Sequence, residues 1–138
     1  MGAPHVWLKS AIEAAASGVT VWPVDMTGGG EPPYVIYVRE QTARELLLAE
    51  TFDDGPVPGE LSPVARFSVT IYADSYVQAW EIAGNISTAL HRFQGSGEGQ
   101  TIDSCMVMDE RDGDAGYLEG REQPTFTVEQ TIEVRFQE

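Results

Sequence analysis

Apolar and polar residues alternate from Thr125 to Phe136. Phe126, Val128, Ile132, Val134 and Phe136 fall on one side, and Thr125, Thr127, Glu129, Thr131, Glu133 and Arg135 on the other. A period of two over that length predicts a strand with one face buried. Only Gln130 interrupts the apolar side, so it either meets a buried polar partner or marks where that face leaves the core.

A second alternating run changes period partway along. Phe67, Val69, Ile71 and Ala73 oppose Arg66, Ser68, Thr70 and Tyr72, again a half-buried strand. From Ser75 onward the apolar residues recur every third or fourth position, at Ala79, Ile82, Ala83, Ile86, Leu90 and Phe93, with Trp80 flanking them. Ser75 with Gln78 three residues later is a capping box, so a helix begins almost as the strand ends. Asp74 and Ser75 then set the angle between strand and helix. The polar strand face at Ser68, Thr70 and Tyr72 is left for water or a neighbouring subunit. The glycines of "QGSGEGQ" are read as ending the helix.

The remaining pattern is shorter. Val6, Leu8, Ile12, Ala15 and Ala16 predict a helix over about 5–17, with Pro4 in its first turn and Gly18 as a C-cap. "VTVWPV" is a brief extended piece. "TGGGEPP" is a turn and no phosphate cradle, because Glu31 and two prolines stand where a Gly-Lys-Ser/Thr would follow. Tyr34 to Glu40, rich in β-branched and aromatic residues, is a strand. "QTARELLLAE" is read as a strand paired with it, a helix capped by Thr42 and Glu45 staying open as the alternative. Thr51 to Pro63 is a long loop, Ile102 to Asp109 a strand, and Glu110 to Pro124 a second, acidic loop. The sum over residues 1–138 is a single α+β domain. It has a mostly antiparallel sheet, two helices packed on one face, and long connecting loops.

Charge narrows the functional classes. The 138 residues carry 22 acidic and 8 basic side chains, a formal net charge of −14, and Lys9 is the only lysine. Such a surface repels phosphate and anionic lipid, which disfavours gripping nucleic acid or a membrane. No apolar run approaches the roughly 20 residues needed to span a bilayer. "MGAPHVWLKS" resembles neither a secretory signal nor a myristoylation site, so synthesis and residence in a cytoplasm are expected. Cys105 is the only cysteine, which excludes an internal disulfide and a cysteine-built zinc cage. Within its apolar run it is read as a small core residue.

Candidate chemistry is sparse. Asp109, Glu110, Asp112 and Asp114 could bind calcium, but a register starting at Glu110 puts Ala115 where glycine is needed and Arg121 where a bidentate glutamate is needed. A solvated loop is the preferred reading, and no metal is expected. His91 lies late in the second helix, where an imidazole favours the helix end over a general-base role. His5 lies near the chain start. Ser87, one turn before His91, has no nucleophile elbow around it. Asp53 and Asp54 before Gly55 are turn residues first. Trp7 and Trp80 are read as core. Trp22, before a proline in an extended segment, is the candidate interface anchor, although core is the safer reading of any one tryptophan. No set of residues forms a catalytic site, and no enzyme activity is expected.

The order of these elements, with "PPYVIYVRE", a Pro/Gly loop, "RFSVTIYADSYVQAWEIAGNISTALHRF", an acidic Tyr-containing loop and a terminal alternating strand, resembles the tail completion or tail terminator proteins of long-tailed bacteriophages and prophage elements. The resemblance is centred on Arg66 to Phe93 and Phe126 to Phe136. It is loosest over Ala43 to Glu50 and Glu110 to Pro124. It implies a virion protein without cofactor that assembles as a ring, typically a hexamer, on the end of the tail tube. That ring ends tube polymerisation and offers a surface to the head connector. The implied partners are other copies of the chain, the major tail tube protein and the neck proteins, with DNA passing through the lumen unbound. Candidate contact residues are Trp22, Asp53, Asp54, Tyr72, Asp112, Asp114, Tyr117 and Gln130. A head-side neck adaptor is the nearest alternative, and a metal-binding domain built on 109–114 a more distant one.

Overall fold

The fold was obtained as a computed structural model, which describes residues 4–16, 19–23, 32–43, 63–113, 116–117 and 124–137. It is an α+β fold. Its elements in chain order are α1 (Pro4–Ala15), β1 (Thr20–Pro23), β2 (Tyr34–Ala43), β3 (Val64–Ala73), α2 (Tyr76–Leu90), β4 (Phe93–Gly97), β5 (Gln100–Asp112), β6 (Gly116–Tyr117) and β7 (Pro124–Phe136). The sheet runs β1-β2-β3-β7-β5-β4, with β6 pairing β7 at its start. Every pairing is antiparallel except β1 with β2.

The alternation in β3 and β7 is satisfied by their mutual register. Phe67 faces Ile132, Val69 faces Gln130 and Ile71 faces Val128, so one sheet face collects the apolar side chains. Both helices cover that face. Leu8 and Ile12 of α1, with Ala79, Ala83, Ile86 and Leu90 of α2, join Phe67, Ile71, Ile132 and Val134 in one buried cluster. Full burial of each large aliphatic or aromatic side chain contributes about 1.5–3 kcal/mol. That is the main stabilisation of a helix-on-sheet layer.

The strand-to-helix joint follows the sequence pattern. Ser75 is the N-cap of α2, and its hydroxyl accepts the Gln78 N–H at 3.1 Å. In return the Gln78 side-chain carbonyl accepts the Asp74 N–H at 2.9 Å. Two backbone donors at the helix start are thereby satisfied within four residues, without a loop.

Two readings of the sequence are corrected. First, the glycines after Phe93 do not end α2. The helix stops at Leu90, and His91 caps it, with its N–H donating to Ser87 O and its Nδ1 accepting the Val107 N–H at 3.0 Å. Arg92 then adopts a φ of 69° and donates its N–H to Cys105 O. Phe93 therefore belongs to β4, not to the helical stripe, and its ring packs against Trp7 at 5.2 Å between centroids. The glycine-rich segment is a hairpin. Gly97 pairs with Gln100, leaving Glu98 and Gly99 as a two-residue turn with φ of 51° and 75°. Positive φ at both positions gives the twist that a tight antiparallel hairpin needs.

Second, Glu110, Arg111 and Asp112 are not loop. They continue β5 to Asp112, paired with Gln130, Glu129 and Val128. Cross-strand pairing outweighs their charge, and Arg111 meets Glu129 directly. Strand β2 is also longer than expected, reaching Ala43 past an irregularity between Arg39 and Gln41. The open strand-or-helix question over residues 44–50, the loop at 51–62 and the Gly18 cap lie outside the described residues. No helix among the described residues is long and apolar enough to cross a membrane.

Replacing Ser75 with alanine should lower stability by about 1 kcal/mol in urea unfolding, since it removes the acceptor for the Gln78 N–H. Burial pushes the Cys105 thiol from 9.0 up to about 12. The folded chain thus keeps a proton there that the unfolded chain gives up. Its contribution is complete below pH 9 and is lost as pH rises toward 12. Cys105→Ala should flatten the fall in stability across that window. A thiol reagent at pH 8 should label the native protein only as fast as it unfolds.

Candidate interaction surface

Strand register assigns the candidate residues to opposite faces of the sheet. The face away from the helices carries Trp22 on β1, Ile36 and Val38 on β2, and Ser68, Thr70 and Tyr72 on β3, all half-buried. Its other half carries Thr127, Glu129, Thr131 and Glu133 of β7. Tyr72 stacks on Tyr34 at 4.7 Å between centroids, at an interplanar angle of 18°. Burial, and after it the Glu129 carboxylate, push the Tyr72 phenol above its ordinary value, so it is neutral over the physiological range.

The charges on this face pair across strands. Arg66 Nε donates to Glu133 Oε2 at 3.1 Å, a bond that raises the arginine pKa further. Arg111 Nε donates to Glu129 Oε1 at 3.1 Å. Exposed pairs of this kind contribute at most about 1 kcal/mol each, so they select register more than they stabilise. The face is therefore apolar and aromatic toward β1, and charged toward β5.

Asp112 stands on the other side of the sheet, beside the start of α2. Its Oδ1 accepts the Trp80 indole N–H at 2.8 Å and its Oδ2 accepts the Tyr76 hydroxyl at 3.3 Å. Trp80, read as core, is half-buried and uses its indole N–H for this bond, with Tyr76 edge-on at 6.5 Å. Tyr76 and Val77, at 51% and 65% exposure, form an apolar spot that helical spacing did not single out. Met108, 54% exposed, is the extra residue of a β5 irregularity and was missed for the same reason that any bulge is.

Gln130 is an interior residue of the single chain, not part of its surface. It is 1% exposed beneath α2, and its Nε2 donates to Ala83 O at 3.0 Å and to Glu110 Oε2 at 2.7 Å. It has the buried partner that the first of its two sequence readings required. Tyr117 lies in β6, opposite Pro124. Asp53, Asp54 and Asp114 lie outside the described residues.

The acidic 109–112 run is divided by strand alternation. Asp109 and Arg111 pair with Thr131 and Glu129 on the open face, whereas Glu110 and Asp112 face α2. No group of three or more His, Cys, Asp or Glu is arranged to hold a metal ion among the described residues. Immediately after it, Gly113 donates its N–H to Thr127 O at 2.9 Å, and a Cβ there would collide with the Thr127 hydroxyl.

Substituting Asp112 with alanine should leave the fold intact at a cost of about 1 kcal/mol. The Trp80 indole N–H should lose its acceptor, seen as faster solvent exchange of that resonance by NMR. Gly113→Ala should cost about 1–3 kcal/mol through the clash with Thr127.

No protein-family model and no curated protein matches the chain. Among solved structures, a chain from the virion of a native gene transfer agent (GTA) particle matches with a TM-score of 0.57 at 15% identity. The match covers 92% of this chain and 84% of that one. A further solved chain matches over 95% of this chain and 89% of its own, at 12% identity and a TM-score of 0.47, too low to carry an argument. At 15% identity the likeness to the virion chain is one of fold alone.

Proposed function

We propose that the chain is a structural protein of a phage-like virion that forms a ring on the end of the tail tube, ends tube growth and offers a surface to the head. The carrying observation is the fold likeness over 92% of the chain to a component of a gene transfer agent virion. The tail-terminator resemblance read from residues 66–93 and 126–136 supplies the finer position. The role is assembly and not turnover.

The geometry supports this reading in two respects. Among the described residues the strand order leaves β1 and β4 as the two edges, so one copy can present an edge at each side to its neighbours. Head-to-tail contacts of that kind close into a ring when the rotation fits. Both edges are short, and β1 ends in Pro23, which limits indiscriminate strand pairing before assembly. In addition, a net charge of −14 makes a lumen of such subunits repel DNA, so that DNA passes without sticking.

The test is binding to purified particle parts. The protein should bind tail tubes at one end, halt their elongation in a polymerisation assay, and show about six copies per tube end by mass. Binding to DNA-filled heads but not to tubes would move the role to the head side of the neck. Binding to neither would overturn it. In solution the chain alone is expected to be monomeric or a ring by light scattering, since a tube end can template closure.

A further inference from the structure

Three elements distant in sequence enclose an open groove of about 360 Å³ beside edge strand β4. Its walls are Trp7, Ala11 and Ala15 of α1, Leu90 at the end of α2 and Phe93 of β4, and Glu98 at the hairpin tip stands on its rim. The alanines leave room that larger side chains would fill. The floor is hydrocarbon and aromatic, because Trp7 is 4% exposed and Leu90 1%. Glu98 is the one charged residue lining a groove that is otherwise apolar apart from the Ser10 hydroxyl.

Two observations fix that carboxylate. Ser10 Oγ donates to Glu98 Oε1 at 3.2 Å, tying the hairpin tip to α1. Glu98 also has a φ of 51°, a left-handed conformation that a two-residue hairpin ordinarily assigns to glycine or asparagine. The turn would be more stable with either of those, yet it carries a carboxylate that lines the groove. Among the described residues Glu98 forms no ion pair, and the nearby Lys9 is paired with Glu13 at 2.8 Å.

We propose that this groove receives a basic side chain, arginine or lysine, from a partner protein. The aliphatic stem lies against Ala11, Ala15, Leu90 and Phe93, and the cationic end meets Glu98. An apolar trough ending in one carboxylate is complementary to a side chain that is hydrocarbon for most of its length and charged at its tip. A chain with 22 acidic and 8 basic residues favours a cationic partner over long range as well. Phe93, half-buried, offers a ring against which a guanidinium can rest. The proposal goes beyond the ring reading and stands whether or not the chain forms one.

The experiment compares two blocked tripeptides, Ac-Gly-Arg-Gly-NH2 and Ac-Gly-norleucine-Gly-NH2, titrated into the ¹⁵N-labelled full chain by NMR. The arginine peptide should shift the amides of Ala11, Ala15 and Phe93 with millimolar affinity. It should bind roughly threefold more tightly than the norleucine peptide, the size expected for a rim-exposed ion pair. Glu98→Gln, which keeps an acceptor for Ser10, should abolish that preference. Glu98→Gly should abolish it too while raising the unfolding midpoint, because it relieves the left-handed conformation. Equal binding of the two peptides, a preference that survives Glu98→Gln, or no shift at these amides in the millimolar range would each overturn the proposal.

Discussion

Ten consecutive residues of β3 pair with ten of β7, and this register decides where everything else can lie. It places Ala65, Phe67, Val69 and Ile71 beside Val134, Ile132, Gln130 and Val128, and so makes a strip that water cannot be left on. A shift by one residue would turn each of those side chains to the other face, where Glu129, Glu133 and Arg66 now sit. The apolar alternation and the cross-strand ion pair of Arg66 with Glu133 therefore specify one register from both sides of the sheet. The two strands are about sixty residues apart in the chain, so their pairing also closes the whole of α2, β4 and β5 into the fold.

Once that strip exists, α2 has one place to go. The Ser75 cap starts the helix two residues after β3 ends, which leaves no slack to carry it elsewhere. Gln130 then fixes its position. A polar side chain in the middle of an apolar strip is costly unless it finds partners. Gln130 Nε2 donates to Glu110 of β5 and to Ala83 O, the second of which needs α2 where it lies, while its buried Oε1 is left without one. Asp112 adds a second tie through Trp80. The helix is held by burial along its length and by three polar contacts, of Tyr76 and Trp80 with Asp112 and of Ala83 O with Gln130, all near the acidic end of β5.

Much of this was legible from residue pattern, because β3, α2 and β7 from Val128 onward each bury one face. At the start of β7 the pattern misleads, since Thr125 is buried and Phe126 only half-buried. The alternation at 125–136 and the helical spacing at 79–90 have no other physical use. The parts that escaped are those in which local chemistry has two meanings. The "QGSGEGQ" glycines serve a helix end and a tight hairpin equally well, and the deciding interaction, Arg92 N–H to Cys105 O, is made with a strand not yet formed at that point in the chain. Glu110 to Asp112 look like loop because charge on both strand faces erases the alternation. Strand β5 tolerates it since Arg111 finds Glu129 on one face, while Gln130 and Trp80 find carboxylates on the other. Of the candidate contacts, Trp22 and Tyr72 proved to share the open face, and neither their common face nor the burial of Gln130 follows from any one segment alone.

The distribution of charge connects the fold to its surfaces. Lys9, Arg66 and Arg111 are each engaged with a carboxylate of this chain. Intramolecular pairing therefore engages at least three of the eight cations, and the sequence as a whole keeps an acidic excess of fourteen. That excess contributes nothing to the core, which the apolar strip and two helices account for, and its mutual repulsion opposes compactness. It acts outward, repelling acidic surfaces at long range and favouring cationic ones. Under the proposed assembly role, association draws on short-range features: strand edges at β1 and β4, the aromatic half of the open face, and the groove beside β4. With that charge, a partner surface has to supply both shape and compensating charge to overcome the repulsion.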